Sequence, residues 1–144
     1  MAALAEANIT GQSQRLYPRR EPSVSAARRE LRGALAEWGV SNLGDSAELV
    51  LSELITNAIR HASPGNTSQV LVALHLNEAR LRVSVSDGDR FRLPRKANDW
   101  TTGEGGRGLL LVEALSLRWG VEPRDPGVGK TVWAEMARVD GEEV

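Results

Sequence analysis

Residues 47–62 read Ala-Glu-Leu-Val-Leu-Ser-Glu-Leu-Ile-Thr-Asn-Ala-Ile-Arg-His-Ala, and they are the most informative stretch of the chain. Its apolar residues recur at helical spacing, which predicts a helix with one face against a core. Glu53 and Asn57 lie one turn apart at the edge of that face. A carboxylate and a carboxamide in this half-buried position suit a cation–phosphate site, although they also fit the start of an ordinary solvent face. The segments downstream decide between these readings.

The segments around this helix predict a two-layer α/β (α+β) sandwich, in which a mostly antiparallel sheet carries helices on one face. Residues 12–138 are expected to form a single domain, with tails at 1–11 and 139–144. The other predicted elements follow from periodicity and turn residues: strand 13–17, helix 22–38, strands 69–76 and 81–87, helix 106–118, and strands 119–122 and 130–136.

Composition excludes several classes of function. The chain of 144 residues has a net charge of -1, which argues against direct binding of nucleic acid or of an anionic membrane. Cysteine is absent, which excludes thiol chemistry, and two histidines argue against a His-rich metal site. No apolar run approaches the ~20 residues of a membrane span, and no signal peptide is evident, so a cytoplasmic protein is expected.

A charged loop at 89–106 is long enough to act as a lid. It ends in Gly103-Glu-Gly-Gly-Arg-Gly108, directly before a predicted helix. Glycines there let backbone N–H groups approach a phosphate, and Arg107 can pair with phosphate oxygens. A flexible linker is the ordinary alternative. The segment 127–131 is not a P-loop, because Arg124 stands where the first glycine should be and a strand follows.

Four segments now stand in one order: the Glu53-x-x-x-Asn57 helix, a strand ending in Asp87-Gly88, a glycine-rich segment before a helix, and a closing Gly-Lys-Thr strand. This order resembles the Bergerat-fold (GHKL) ATP-binding superfamily. It is most similar to the anti-sigma factor/serine-protein kinase branch of bacterial regulators. Ser-Glu-Leu-Ile-Thr-Asn-Ala-Ile-Arg-His-Ala at 52–62 and Gly-Gly-Arg-Gly-Leu-Leu-Leu-Val at 105–112 are close to the usual sequence of that branch.

The resemblance implies a role for each matching residue. Asn57 would hold Mg²⁺ and, through it, the phosphates of ATP. Glu53 would be the general base for the attacking hydroxyl. Asp87 would accept a hydrogen bond from the adenine amino group, and Gly88 would let the backbone lie close beneath the base. The remaining nucleotide contacts would come from the start of the third helix and from the last strand: Gly105, Gly106, Arg107, Gly108, Leu109 and Thr131. Lys130 fits an ordinary solvated charge at a strand end.

The implied function is an ATP-dependent protein-serine kinase that is also an anti-sigma factor. It would sequester a sigma factor and phosphorylate a serine on an antagonist protein, and family members commonly form homodimers. One departure keeps a second hypothesis open. The superfamily usually reads Asp-x-Gly-x-Gly, whereas here Gly88 comes one place early and Asp89 takes the usual glycine position. The alternative is a non-catalytic regulatory binding module of the same fold, with nucleotide structural or absent.

Overall fold

The computed structural model describes residues 9–61, 69–87, 104–124 and 129–138. In these ranges every predicted helix and strand is present. Their bounds are β1 (Gly11–Pro18), α1 (Pro22–Glu37), a 3₁₀ turn (Ser41–Leu43), α2 (Gly44–His61), β2 (Gln69–Leu76), β3 (Arg80–Asp87), α3 (Glu104–Leu115), β4 (Arg118–Arg124) and β5 (Gly129–Ala137). Most of the predicted loop, and residues 1–8 and 139–144 of the predicted tails, lie outside the described residues.

Several element boundaries differ from the sequence prediction by a few residues. The sheet begins within the predicted tail, because the Thr10 N–H donates to the Leu76 carbonyl at 2.7 Å and β1 follows at Gly11. The third helix begins at Glu104 and ends at Leu115, a few residues before the predicted end, because Arg118 already belongs to β4.

The five strands form one sheet in the order β1-β2-β3-β5-β4, and each described pair of neighbours is antiparallel. The β4–β5 hairpin folds back so that β5 lies beside β3 and β4 forms the edge. The register pairs Asp87, the last residue of β3, with Lys130 near the start of β5. The sheet order therefore brings together two residues that are far apart in the chain.

The core lies between the sheet and the helices, which confirms the predicted two-layer sandwich. The helices contribute Ala27, Leu31 and Leu35 from α1, Val50, Leu51, Leu54, Ile55 and Ala58 from α2, and Val112 from α3. Alternate strand residues meet them: Val70, Val72, Leu74 and Leu76 of β2, Leu81, Val83 and Val85 of β3, and Val132, Ala134 and Met136 of β5. Residue parity along each strand thus tells which side chains face the helices.

The turn between α1 and α2 fixes how the two helices meet. Gly39 has φ 77°, a left-handed conformation that glycine adopts without steric penalty. The N–H of Val40 then donates to the Leu35 carbonyl at 2.9 Å, which closes the end of α1. Across the helix pair, Arg28 Nε donates to Glu48 Oε2 at 2.7 Å. This hydrogen bond, with a second from Arg32, lowers the pKa of the Glu48 carboxyl.

Candidate functional site

Helix α2 carries Glu53 and Asn57 at the rim of its buried face. Asn57 stands between the buried residues Leu54 and Ala58, and it is itself only 7% exposed. Glu53, one turn earlier, is half-buried. Helix α2 packs against β3 and β5, and Asn57 is among the residues of α2 that are buried. The structure gives both residues the edge position that the sequence predicts, and their chemical roles stay predictions.

Asp87 lies at the end of β3 in phase with Leu81, Val83 and Val85, so its carboxylate points to the helix side of the sheet. Lys130 is in phase with Val132, Ala134 and Met136 of β5 and points to the same side. The two are cross-strand partners, and the Lys130 ammonium lies 3.1 Å from Oδ2 and 3.4 Å from Oδ1 of Asp87. The ammonium therefore spans both carboxylate oxygens.

This ion pair is almost wholly withdrawn from water. The side chains of Lys130 and Asp87 are 4% and 2% exposed. A single charge buried this deeply is strongly unfavourable, and a hydrogen-bonded partner of opposite charge offsets much of that penalty. The expectation that Lys130 is a solvated charge at a strand end is wrong. Its alternation with Val132 and Ala134 is the signal in the sequence that indicates an inward-facing side chain.

Thr131 lies on the other face of the sheet from Asp87. It is out of phase with Lys130, and its Oγ1 is 2.7 Å from Oγ of Ser86, its cross-strand partner. The residue of β5 that meets Asp87 directly is Lys130. A role of Thr131 in recognising adenine stays a prediction. Its side chain and the Asp87 carboxylate point to opposite faces of the sheet, which argues against direct contact of both with one base.

The start of α3 contains the glycine-rich segment. Gly105, Gly106, Arg107 and Gly108 are helical in backbone, close behind the first residue of the helix, Glu104. The first turn of a helix has backbone N–H groups without intrahelical acceptors, which favours anions there. The predicted contacts of Gly88, and of the side chains of Arg107 and Leu109, lie outside the described residues, as does Asp89.

A second charged cluster, which the sequence interpretation missed, lies on the face of the sheet opposite the described helices. Glu135 of β5 is 1% exposed in its side chain, and its Oε1 accepts from Arg118 Nε at 2.7 Å and from Arg80 at 3.3 Å. Its Oε2 lies 3.5 Å from Nε of Arg82. The guanidinium carbon of Arg82 is 4.1 Å from the centre of the Trp133 ring, a cation–π contact. The cluster joins β3, β5 and β4.

Comparison with known proteins adds independent information. Residues 17–136 match the model of the family described as the histidine kinase-like ATPase domain. A serine-protein kinase RsbW of Listeria innocua is 32% identical over 111 residues, which are 68% of this chain and 71% of that protein. A serine-protein kinase RsbW of Staphylococcus aureus is 29% identical over 139 residues, 84% of this chain and 87% of that protein.

Solved structures show the same fold. The RsbU and RsbW domains of a Mycobacterium tuberculosis protein superpose with a TM-score of 0.67 at 22% identity, over 90% of this chain and 34% of that chain. The histidine kinase domain of a blue-light activated histidine kinase from Erythrobacter litoralis gives a TM-score of 0.50 at 23% identity, over 80% of this chain and 61% of that chain. Within the described ranges, no helix has both the length and the apolar character needed to cross a membrane.

Proposed function

Because this chain belongs to the histidine kinase-like ATPase domain family, we propose that it is an ATP-dependent serine-protein kinase that acts as an anti-sigma factor. Nucleotide binding follows from the family. The names of the relatives, serine-protein kinases in Listeria innocua and Staphylococcus aureus, support phosphoryl transfer to serine. The resemblance to the anti-sigma factor branch supplies the expected partners, a sigma factor and an antagonist protein, and the expected homodimer.

One observation supports the proposal: two polar side chains are buried where the same helix and strand pack together. Asn57 on α2 is 7% exposed and Asp87 on β3 is 3% exposed, and α2 packs directly on β3. Buried polar groups are usually hydrogen-bonded, because burial of a polar group without a partner is unfavourable. Asp87 would accept a hydrogen bond from the adenine amino group, and Asn57 would bind the phosphates through Mg²⁺.

The donor set fits Mg²⁺ that enters with the nucleotide. In residues 9–61, 69–87, 104–124 and 129–138 no cluster of three or more His, Cys, Asp and Glu side chains could hold a metal ion. Asn57 offers one amide oxygen, a hard ligand. Mg²⁺ commonly takes few protein ligands and completes its shell with substrate phosphates and water. When bound, it would offset the negative charge of the triphosphate during transfer.

Glu53 would act as the general base. It is half-buried one turn before Asn57, so it lies beside the expected phosphate end. Its carboxylate would take the proton of a serine hydroxyl on the partner protein. The hydroxyl oxygen then bonds to the γ-phosphorus while the bond from that phosphorus to the ADP oxygen breaks, which yields phosphoserine and ADP. The proton on Glu53 passes to solvent.

The nucleotide site is tested by thermal melting with ATP, ADP and GTP, each with and without Mg²⁺. Ligand at a hundred times its dissociation constant adds about 2.7 kcal/mol to the free energy of unfolding, which is several degrees for a domain of this size. We expect an adenine-selective, Mg²⁺-dependent shift that Asn57→Ala and Asp87→Asn abolish. Asn42→Ala, at an exposed asparagine of the 3₁₀ turn, is the matched control. No shift in well-folded wild type would refute the nucleotide site.

Phosphoryl transfer is tested separately with Glu53→Gln. This substitution removes the base and keeps the shape of the side chain, so ATP affinity is expected to change by less than about threefold. The rate of phosphoserine formation on an antagonist protein, followed by mass spectrometry, should fall roughly 10²–10⁴-fold. Glu37→Gln, at an exposed glutamate that ends α1, should leave the rate unchanged. If ATP binds but wild type and Glu53→Gln form no phosphoserine, the protein is a non-catalytic binding module.

A further inference from the structure

Lys130 is a buried cation that the proposed mechanism does not use. It is 3% exposed, it is the cross-strand partner of Asp87, and it faces the helices with the core residues of β5. A lysine at such a position is unusual for packing alone, because its ammonium is strongly hydrated and unfavourable to bury. An apolar residue there would continue the series Val132, Ala134 and Met136 without a charge. The ion pair with Asp87 is therefore the feature that can explain a charged residue at this position.

We propose that Lys130 is the positioning residue for base recognition: its ammonium offsets the unfavourable burial of the Asp87 carboxylate and fixes its orientation, so that the carboxylate accepts a hydrogen bond from the amino group of a purine. The inference rests on the proposed function, in which Asp87 meets the adenine amino group. It adds a residue that acts through Asp87 and that sets how strongly the protein distinguishes purines with this amino group from those without it.

The chemistry of the pair explains why the ammonium is needed. The amino group of adenine is a donor, so its partner must be an acceptor, and an ionised carboxylate offers acceptors only. A buried carboxylate without a counter-charge is strongly unfavourable. Lys130 supplies that counter-charge from the neighbouring strand. The ammonium lies 3.1 and 3.4 Å from the two oxygens of a carboxylate, a group with about four acceptor positions in all.

The geometry also restrains the direction of the carboxylate. Asp87 and Lys130 are directly opposed in the antiparallel ladder, so the Cα atoms of both are set by the sheet. Contact of the ammonium with both oxygens opposes rotation of the carboxylate about its last bond. A fixed acceptor reduces the entropy that is lost when a base binds, which is the general advantage of a preorganised site.

The test compares ATP with purine riboside 5′-triphosphate, which lacks the amino group and keeps the sugar and phosphates. Dissociation constants are measured by calorimetry in the presence of Mg²⁺. For wild type we expect ATP to bind roughly 10- to 100-fold more tightly, as for a hydrogen bond to a charged group. In Lys130→Met the ratio should fall to about threefold or less, in Lys130→Arg it should recover, and in Arg29→Met, at an exposed cation of α1, it should match wild type.

The outcomes separate positioning from mere packing. A wild-type ratio in Lys130→Met, or an equal loss of affinity for both triphosphates, would overturn the inference while leaving the proposed function intact. Failure of wild type to bind either triphosphate would overturn the proposed function and this inference together. Circular dichroism establishes that each variant is folded. If Lys130→Met does not fold, the same two dissociation constants are measured for Lys130→Gln, which keeps a donor and removes the charge. The preference for ATP over purine riboside 5′-triphosphate should again fall to about threefold or less.

Discussion

The buried carboxylate of Glu135 offers a direct test of how the sheet is held together. Replacement by glutamine keeps the volume of the side chain and removes its charge. The carboxylate forms ion pairs with Arg118 at 2.7 Å, Arg80 at 3.3 Å and Arg82 at 3.5 Å, and the side chain is 1% exposed. The variant therefore leaves three guanidinium groups around a neutral amide, and the expected result is a clear loss of folding stability.

The size of the loss follows from the exposure of each arginine. Breaking a fully buried ion pair lowers the free energy of unfolding by about 3–5 kcal/mol. Arg118 and Arg80 are 52% and 36% exposed, so water can solvate their charges and each contributes little. Arg82 is 11% exposed and stays beside Trp133 without its counter-charge. We expect a net loss of about 2–3 kcal/mol, or roughly 5–10 °C in the melting temperature.

The assay is equilibrium unfolding in urea, with the midpoint and slope followed by far-ultraviolet circular dichroism. Glu30→Gln is the matched control, because the same chemical change is made in an ion pair with Arg15 whose side chains are 46% and 58% exposed. That variant should lose about 0–1 kcal/mol. If Glu135→Gln lost no more than Glu30→Gln, the carboxylate would not be the centre of a buried network, and the reasoning from burial would be refuted.

Four further substitutions test the packing and the pH dependence of the fold. Leu54→Ala, at a core residue that is 1% exposed, should lower the free energy of unfolding by about 2–5 kcal/mol in urea, and a loss under about 1 kcal/mol would contradict its place between the layers. Burial lowers the pKa of His75, so the folded state favours the neutral ring. The resulting stability is present above the unfolded pKa of about 6.5 and is lost as the pH falls through the folded pKa. His75→Gln should therefore melt with a weaker dependence on pH between about 7.5 and 5.5, and equal dependence in both proteins would contradict this. A Cβ added at Gly120 would lie 2.8 Å from Cζ2 of Trp133, so Gly120→Ala should lose about 1–3 kcal/mol. Gly33→Ala, with open space around its Cβ inside α1, should raise the free energy of unfolding by about 0.5–1 kcal/mol. If Gly120→Ala were more stable than Gly33→Ala in urea, this account would be refuted.

Much of the site was readable from the sequence because its signals are local. The helical period of residues 47–62 placed Asn57 at the edge of a buried face, and the structure puts it there with 7% exposure. Alternation along the strands likewise predicted which residues of β2 and β3 face the core, because neighbouring side chains in a strand point to opposite sides. The order of the motifs was sufficient to identify the family.

The contacts of those residues depend on how the strands pair in the folded protein. Parity shows that Asp87 and Lys130 each face the helices, but only the insertion of β5 beside β3 makes them direct neighbours at 3.1 Å. The same register turns Thr131 toward Ser86 and gathers three arginines around Glu135. Local periodicity comes from the geometry of one segment, whereas a cross-strand contact depends on which strands pair and in what register. That choice is made by the packing of the whole sheet against the helices.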